Sequence, residues 1–222
     1  MIEILYKDAD LLVCVKPQGI PSQPDPSGCL DMTAYLKEQL EREGERNDIF
    51  VIHRLDRATG GIMVYARNKK SAASLSELVA KKDGFEKHYL AVAAGEPSEK
   101  VGNMTDYIFR DSTQKKAFIV KSERRGAKLA SLDYEVVKTA EIDGKTFSLF
   151  SIKLNTGRFH QIRAQLSSRG MPIYGDGKYG SRNKAPNFAL WANKVSFTHR
   201  GKQMQFARDP DFDSAPWSIF KA

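Results

Sequence analysis

The chain has 222 residues, 41% of them hydrophobic, and its 35 Lys and Arg against 27 Asp and Glu give a net charge of +8. That length can bury a sizeable core and fits one domain better than two. The longest apolar run, Leu11 to Val15, is far too short to cross a bilayer, and the start MIEILYKDAD lacks a secretory signal. Two cysteines and four scattered histidines build neither a disulfide framework nor a zinc cage. The expectation is a cytoplasmic protein with reduced thiols, no structural metal and a polyanionic partner.

Along the chain, MIEILYKDADLLVCVKP reads as two short strands around a turn at Asp8 to Asp10, closed by Pro17. QGIPSQPDPSGC is a loop, with three prolines and two glycines in twelve residues. From Asp31 to Glu43, Met32, Tyr35, Leu36 and Leu40 share one side of an amphipathic helix that stops at Gly44. A strand over Ile49 to Ile52 precedes HRLDRATGG, and a second apolar run covers Ile62 to Ala66. KKSAASLSELVAKK has helix spacing, whereas EKHYLAVAAG, AFIV, LASLDYEVVKT and KTFSLFSIKL read as strands. GRFHQIRAQLSSRG places Phe159, Ile162 and Leu166 at helical spacing before Gly170, and two final strands flank Arg200 and Gly201. The sum is a strand-rich α+β domain over residues 1–222, with few helices and no clear linker.

Two dense polar clusters interrupt this pattern. In HRLDRATGG, Asp56 follows a strand and precedes a glycine pair, with Arg54 and Arg57 on either side. An aspartate there can simply form a turn, but a charge cluster at a strand end needs partners if it is partly buried. In NTGRFHQIR, the residues Arg158, His160, Gln161 and Arg163 follow a strand and a turn. They read either as a solvated basic helix start or, with Arg163 beside the apolar stripe, as an arginine within reach of a buried carboxylate. Tyr89 lies in a strand, where a core or edge aromatic is the plain reading.

The order of these segments is more informative than any one of them. KPQGI, HRLDRATGGIMVYARN, EKHYLAVAAG, LNTGRFHQIRAQL and GMPIYGDGKYG together resemble the RluA-type family of RNA pseudouridine synthases, over residues 16 to 180. The resemblance implies a mixed, mainly antiparallel sheet flanked by a few helices, and an isomerase that converts uridine in ribosomal or transfer RNA to pseudouridine. The C1'–N1 bond breaks, the uracil turns in its pocket, and a C1'–C5 bond forms. By that likeness Asp56 is the essential carboxylate, Tyr89 stacks on the base, and Arg163 pairs with the acid. Arg54 enters the RNA stack that the flipped base leaves, and His53, Arg57, Arg158, His160 and Gln161 contact RNA.

The chemistry suits those roles. A guanidinium stays protonated and keeps a nearby carboxylate ionised. Extruding a nucleotide costs about a few kcal/mol, and stacking on an aromatic face returns about 1–3 kcal/mol per base. An isomerisation without net redox change calls for no nicotinamide, flavin or metal, and a monomer is expected. The sequence departs from the family at Phe159, where a small hydroxyl residue is common, at Gln165, often a histidine, and at Val15 and Gln23 in the first loop. Many relatives carry an N-terminal S4 RNA-binding domain, which is expected to be missing because the motifs begin almost at Met1. Two other readings stay open: a non-catalytic RNA-binding or RNA-folding protein on the same scaffold, and a metal-dependent nuclease using Asp56 with Asp176.

Overall fold

The structure, a computed structural model, describes residues 1–81 and 84–221. In chain order its first elements are β1 (Ile4–Lys7), β2 (Leu11–Lys16), α1 (Met32–Arg42), β3 (Phe50–Val51), β4 (Gly60–Ala66), α2 (Lys69–Lys81) and β5 (Phe85–Ala94). β6 (Val101–Asp111), β7 (Lys116–Val120), β8 (Ala127–Ile142), β9 (Lys145–Leu154), α3 (Gln161–Ser168), β10 (Leu190–His199) and β11 (Lys202–Ala207) follow. These strands and three helices make the α+β fold expected. The chain clusters into two compact units, Met1–Lys87 with Trp191–Pro210, and His88–Leu190 with the segment from Asp211 onward.

In the first unit β2 pairs antiparallel with β1 and β4, β11 pairs antiparallel with β10, and β10 runs parallel to β4. Every residue of β2 and β4 is buried, which is why LLVCV and IMVYA read as unbroken apolar runs and not as alternating strands. Leu11, Val13, Ile62 and Val64 gather around Leu75 of α2, with Phe85 and Phe197 stacked at a centroid distance of 5.3 Å. Helix α1 starts where the sequence says: Asp31 caps it by accepting the Thr33 N–H at 2.8 Å, and the chain leaves it through Gly44 at φ 69°. For α2, Lys82 of the expected stretch lies outside the described residues.

The glycine pair of the first polar cluster has a packing role. A Cβ on Gly60 would come within 2.3 Å of the Trp191 ring, and one on Gly61, at φ 115°, within 2.2 Å of the Ala192 carbonyl oxygen. These are the positions where β10 registers on β4. The close parallel approach therefore excludes any side chain there.

The second unit is an antiparallel series in which β9 pairs with β5 and β8, and β6 with β8 and β7. β6 is absent from the sequence reading. Only Met104 and Ile108 are buried in it, and Gly102, Asn103 and Asp106 are poor strand formers. Partners on both edges make it a strand, through nine register pairs to β8 and five to β7. α3 is also shorter than its spacing suggests. It begins at Gln161 because His160 adopts φ 50°, so Phe159 precedes the helix instead of sitting on its stripe. Among the described residues no helix is long and apolar enough to cross a membrane.

Candidate active site

In the first unit, His53, Arg54, Asp56 and Arg57 share one irregular turn between β3 and β4. A β-turn closes it, with the Thr59 N–H donating to the Asp56 carbonyl at 3.0 Å. Arg54 and Arg57 are exposed, and Asp56 is half-buried. The proline-rich loop after β2 grips this turn from both sides of Asp56. The Ser22 hydroxyl donates to the Leu55 carbonyl at 2.8 Å and accepts the Leu55 N–H at 3.1 Å. On the other side, Gly19 N–H donates to the Arg57 carbonyl at 2.8 Å, Arg57 Nε returns a bond to the Gly19 carbonyl at 2.8 Å, and Gln18 Nε2 reaches the Ala58 carbonyl at 2.9 Å. Fixing the flanking backbone in this way presets the direction of the residue between.

Lys16 lies beneath the turn with no exposed surface. Its ammonium donates to the carbonyls of Pro17 at 2.9 Å, Ile20 at 2.7 Å and Arg57 at 3.0 Å, so all three of its protons are used. Burial pushes its pKa down to about 7, and the negative charge of Asp56 acts the other way. In the sequence, Lys16 stands out only as part of KPQGI. A lysine closing an apolar strand ahead of a proline-rich loop was the available signal.

The structure gives His53 a different part from RNA contact. It is 8% exposed, its Nε2 accepts the Val64 N–H at 3.0 Å, and burial pushes its pKa down to about 3. A neutral imidazole that braces β4 presents nothing to a polyanion.

In the second unit, Arg163 of α3 is 6% exposed and holds Asp176 with both ends of its fork: Nε to Oδ2 at 2.6 Å and Nη2 to Oδ1 at 2.9 Å. Its guanidinium carbon also lies 4.8 Å from the Tyr179 ring centre and 4.3 Å from that of Phe188. A buried arginine needs such full pairing, and its flat ion packs well on rings. The partner seen for Arg163 in its own unit is thus Asp176, which the turn in IYGDGKYG delivers: Gly175 at φ 83° leaves 2.9 Å between its would-be Cβ and Ala185. With both carboxylate oxygens on a guanidinium, Asp176 is ill placed to bind a metal, and no cluster of three His, Cys, Asp or Glu suited to one occurs among the described residues.

Tyr179 also joins the start of α3. Its hydroxyl accepts the Ala117 N–H at 2.7 Å and lies 2.9 Å from His160 Nδ1. Burial first, then the charges of Arg163, Lys178 and Arg110, push the His160 pKa down to about 3, so this ring is neutral. Gln161 is 3% exposed and bonded at both ends of its amide: Oε1 accepts from Thr156 at 2.7 Å and from the Arg158 N–H at 3.0 Å, and Nε2 donates to the Ser131 carbonyl at 3.0 Å. Arg158 Nε donates to the Leu129 carbonyl at 2.9 Å. Gln161 is therefore scaffold for the turn before α3. Tyr89, 6% exposed, stands in β5 opposite Ile152 of β9.

Two of the departures from the family pattern, Phe159 and Gln165, make contacts within the second unit, although the buried Gln165 Oε1 has no hydrogen-bond partner among the described residues. Phe159 stacks on His160 with ring centres 3.7 Å apart, and Gln165, with no exposed surface, donates to the Met104 carbonyl at 3.0 Å and to Asp106 at 2.7 Å.

Residues 10–168 match the model of the RNA pseudouridylate synthase family. An uncharacterized RNA pseudouridine synthase of Bacillus subtilis is 34% identical over 203 residues, which is 89% of this chain and 64% of that protein. A ribosomal large subunit pseudouridine synthase C of Rickettsia conorii is 33% identical over 202 residues, 89% of this chain and 63% of that protein. The chain thus spans less than two thirds of the length of either. The structure of human RNA pseudouridylate synthase domain containing 1 has the same fold, with a TM-score of 0.81 at 24% identity over 96% of this chain and 84% of that one. On the extent of the family match and the identity to these relatives, the chain belongs to the RNA pseudouridylate synthase family.

Proposed function

We propose that this protein isomerises uridine to pseudouridine in RNA, with Asp56 as the catalytic carboxylate. The observation that carries the reading is the Asp56 turn. A half-buried acid stands between two exposed arginines, on backbone tied down at Leu55, Arg57 and Ala58. A chain that needed only a turn former would have little use for that degree of restraint. Asp56 acts on the ribose, by attack on carbon or by removal of a sugar proton, while the C1'–N1 bond breaks and C1'–C5 forms. Tyr89 stacks on the uracil, Arg163 supplies the positive charge that keeps Asp56 anionic, and Arg54 fills the gap in the RNA stack. Arg57 and Arg158 face the phosphates. The two units work as one catalytic domain over residues 1–222, as a cytoplasmic monomer without a cofactor.

Ribosomal RNA is the first substrate to offer, on the name of the Rickettsia relative, and transfer RNA the second. C5 of the target loses its hydrogen in the reaction, so release of tritium from [5-3H]uridine RNA reads turnover directly. Asp56→Asn lowers that release by more than about 10³-fold, the scale for removal of a group that bonds to the reacting atoms, with RNA binding retained. Wild-type-like release by this variant overturns the assignment. Retained cellular effects of the variant favour instead an RNA-binding role that needs no chemistry.

A further inference from the structure

We propose that the β6–β7 hairpin and the loop from β7 to β8 form a docking surface for the RNA strand outside the modified nucleotide. It would hold phosphates with unpaired cations and bases by stacking on cation-covered phenylalanines. This deepens the function proposed above and rests on it for the identity of the polyanion.

Residues 110–128 contain seven Lys and Arg and only two acids, an excess of five charges within nineteen residues, against eight for the whole chain. Six of the seven cations are exposed. Among the described residues none of the seven makes an ion pair. A concentration of like charge without internal partners costs repulsion, and a polyanion relieves it by releasing its own counterions.

Aromatic rings lie among these charges in a defined order. Phe109 of β6 and Phe118 of β7 are directly opposed, and so share one face of the hairpin. The buried cluster of Ile108, Ala117 and Ala164 of α3 belongs to the other face, which turns the phenylalanine pair away from the helix. Arg124 lies 4.5 Å from the Phe109 ring centre, and Lys116 5.5 Å from that of Phe118. Gly126 permits this cover, since a Cβ there would approach the Phe109 ring to 3.3 Å. At the hairpin's opposite face Arg110 lies 4.6 Å from the ring of Phe159, the residue that replaces the family's small hydroxyl. A guanidinium on a ring leaves its outer face open, and a base that stacks on it extends an existing pile. An acidic protein would use the charges but has no need of the flat cations.

The plain alternative is that β7, an edge strand of its unit, carries lysines merely to discourage strand pairing. Fluorescence anisotropy with a labelled ribosomal RNA fragment, from 50 to 300 mM KCl, separates the two. The K121Q/R124Q/R125Q variant, checked for an unchanged melting temperature, binds about 10- to 100-fold more weakly at 150 mM salt. Its log–log salt slope falls by about 2, as expected for three lost phosphate contacts on a single strand. R124K keeps the slope and still loses several-fold, because the planar ion is gone. In turnover, the loss appears in KM and not in kcat. Unchanged affinity and slope in the triple variant overturn the proposal, as does loss of binding to polyglutamate with RNA binding intact. Binding is read without turnover, so an inactive chain that still shows these shifts would refute the isomerase reading and spare the surface.

Discussion

The two units hold their key side chains by opposite means. In the first, the restraints around Asp56 run to backbone atoms: Lys16, Gln18 and Ser22 bond to the carbonyls of Arg57, Ala58 and Leu55. In the second, Arg163 is held through its own charge, by a buried carboxylate and two rings. Restraint through the backbone sets the direction of a side chain without using its functional group. Restraint through the charge itself fixes the ion and simultaneously sets its electrostatic environment. The first device should therefore show in turnover more than in stability, and the second in both.

The largest effect tests the second device. Asp176→Asn keeps the shape but leaves the buried guanidinium of Arg163 without its counter-charge, at a cost of about 3–5 kcal/mol in urea unfolding. Tritium release falls with it. A variant of wild-type stability would show that the rings alone secure Arg163, and would erase the contrast. Lys16→Met comes next. It keeps the volume but strips three buried carbonyls of their donor, for a net cost of about 2–3 kcal/mol once relief of the buried charge is counted. Its kcat drops further than that stability loss explains, because the Asp56 turn loosens. Lys16→Arg does not rescue it, since a rigid planar fork cannot serve three carbonyls around one point. Full turnover by folded Lys16→Met would remove the lysine from any positioning role.

A pH scan separates scaffold from site. His53 has its pKa lowered in the fold from 6.5 to about 3, so between those values the unfolded chain binds a proton that the folded chain does not. Stability therefore falls as pH falls through that window, by about 1.4 kcal/mol per pH unit for one such proton. His53→Gln, whose amide oxygen can take the same Val64 N–H, flattens the slope measured by urea midpoints. An unchanged slope would place the acid sensitivity elsewhere, His160 being the next candidate with its pKa also held to about 3.

How much of this was readable in advance depends on whether the information was local. The α1 boundaries follow from a capping aspartate and a terminal glycine within the segment itself, and β2 and β4 from short apolar runs. β6 was not readable, because its polar residues become a strand only through its neighbours. The polar clusters at Asp56 and Arg163 announced themselves by density of charge. Their supports did not: Lys16, Ser22 and Asp176 lie 40, 34 and 13 residues away from the side chains they steady, a separation only folding removes. His53, His160 and Gln161 show the converse. Polar residues beside a site look like contacts in sequence, yet burial turns His53 and Gln161 inward as braces.

The smallest effect is also the sharpest comparison. Ser22 and Thr156 are both buried hydroxyls that bridge two segments, one in each unit. Ser22 accepts the Leu55 N–H and donates to the Leu55 carbonyl, whereas Thr156 accepts the Ser131 N–H at 2.9 Å and donates to Gln161. Either alanine variant removes a small bridge and costs about 1–2 kcal/mol. Ser22→Ala frees the residue next to Asp56, so its tritium release drops several-fold while the RNA Kd stays near wild type. Thr156→Ala leaves Arg163 clasped by Asp176, and its turnover changes by less than twofold. Equal losses of turnover in the two variants would mean that both bridges serve only stability, and that the carboxylate turn needs no special restraint.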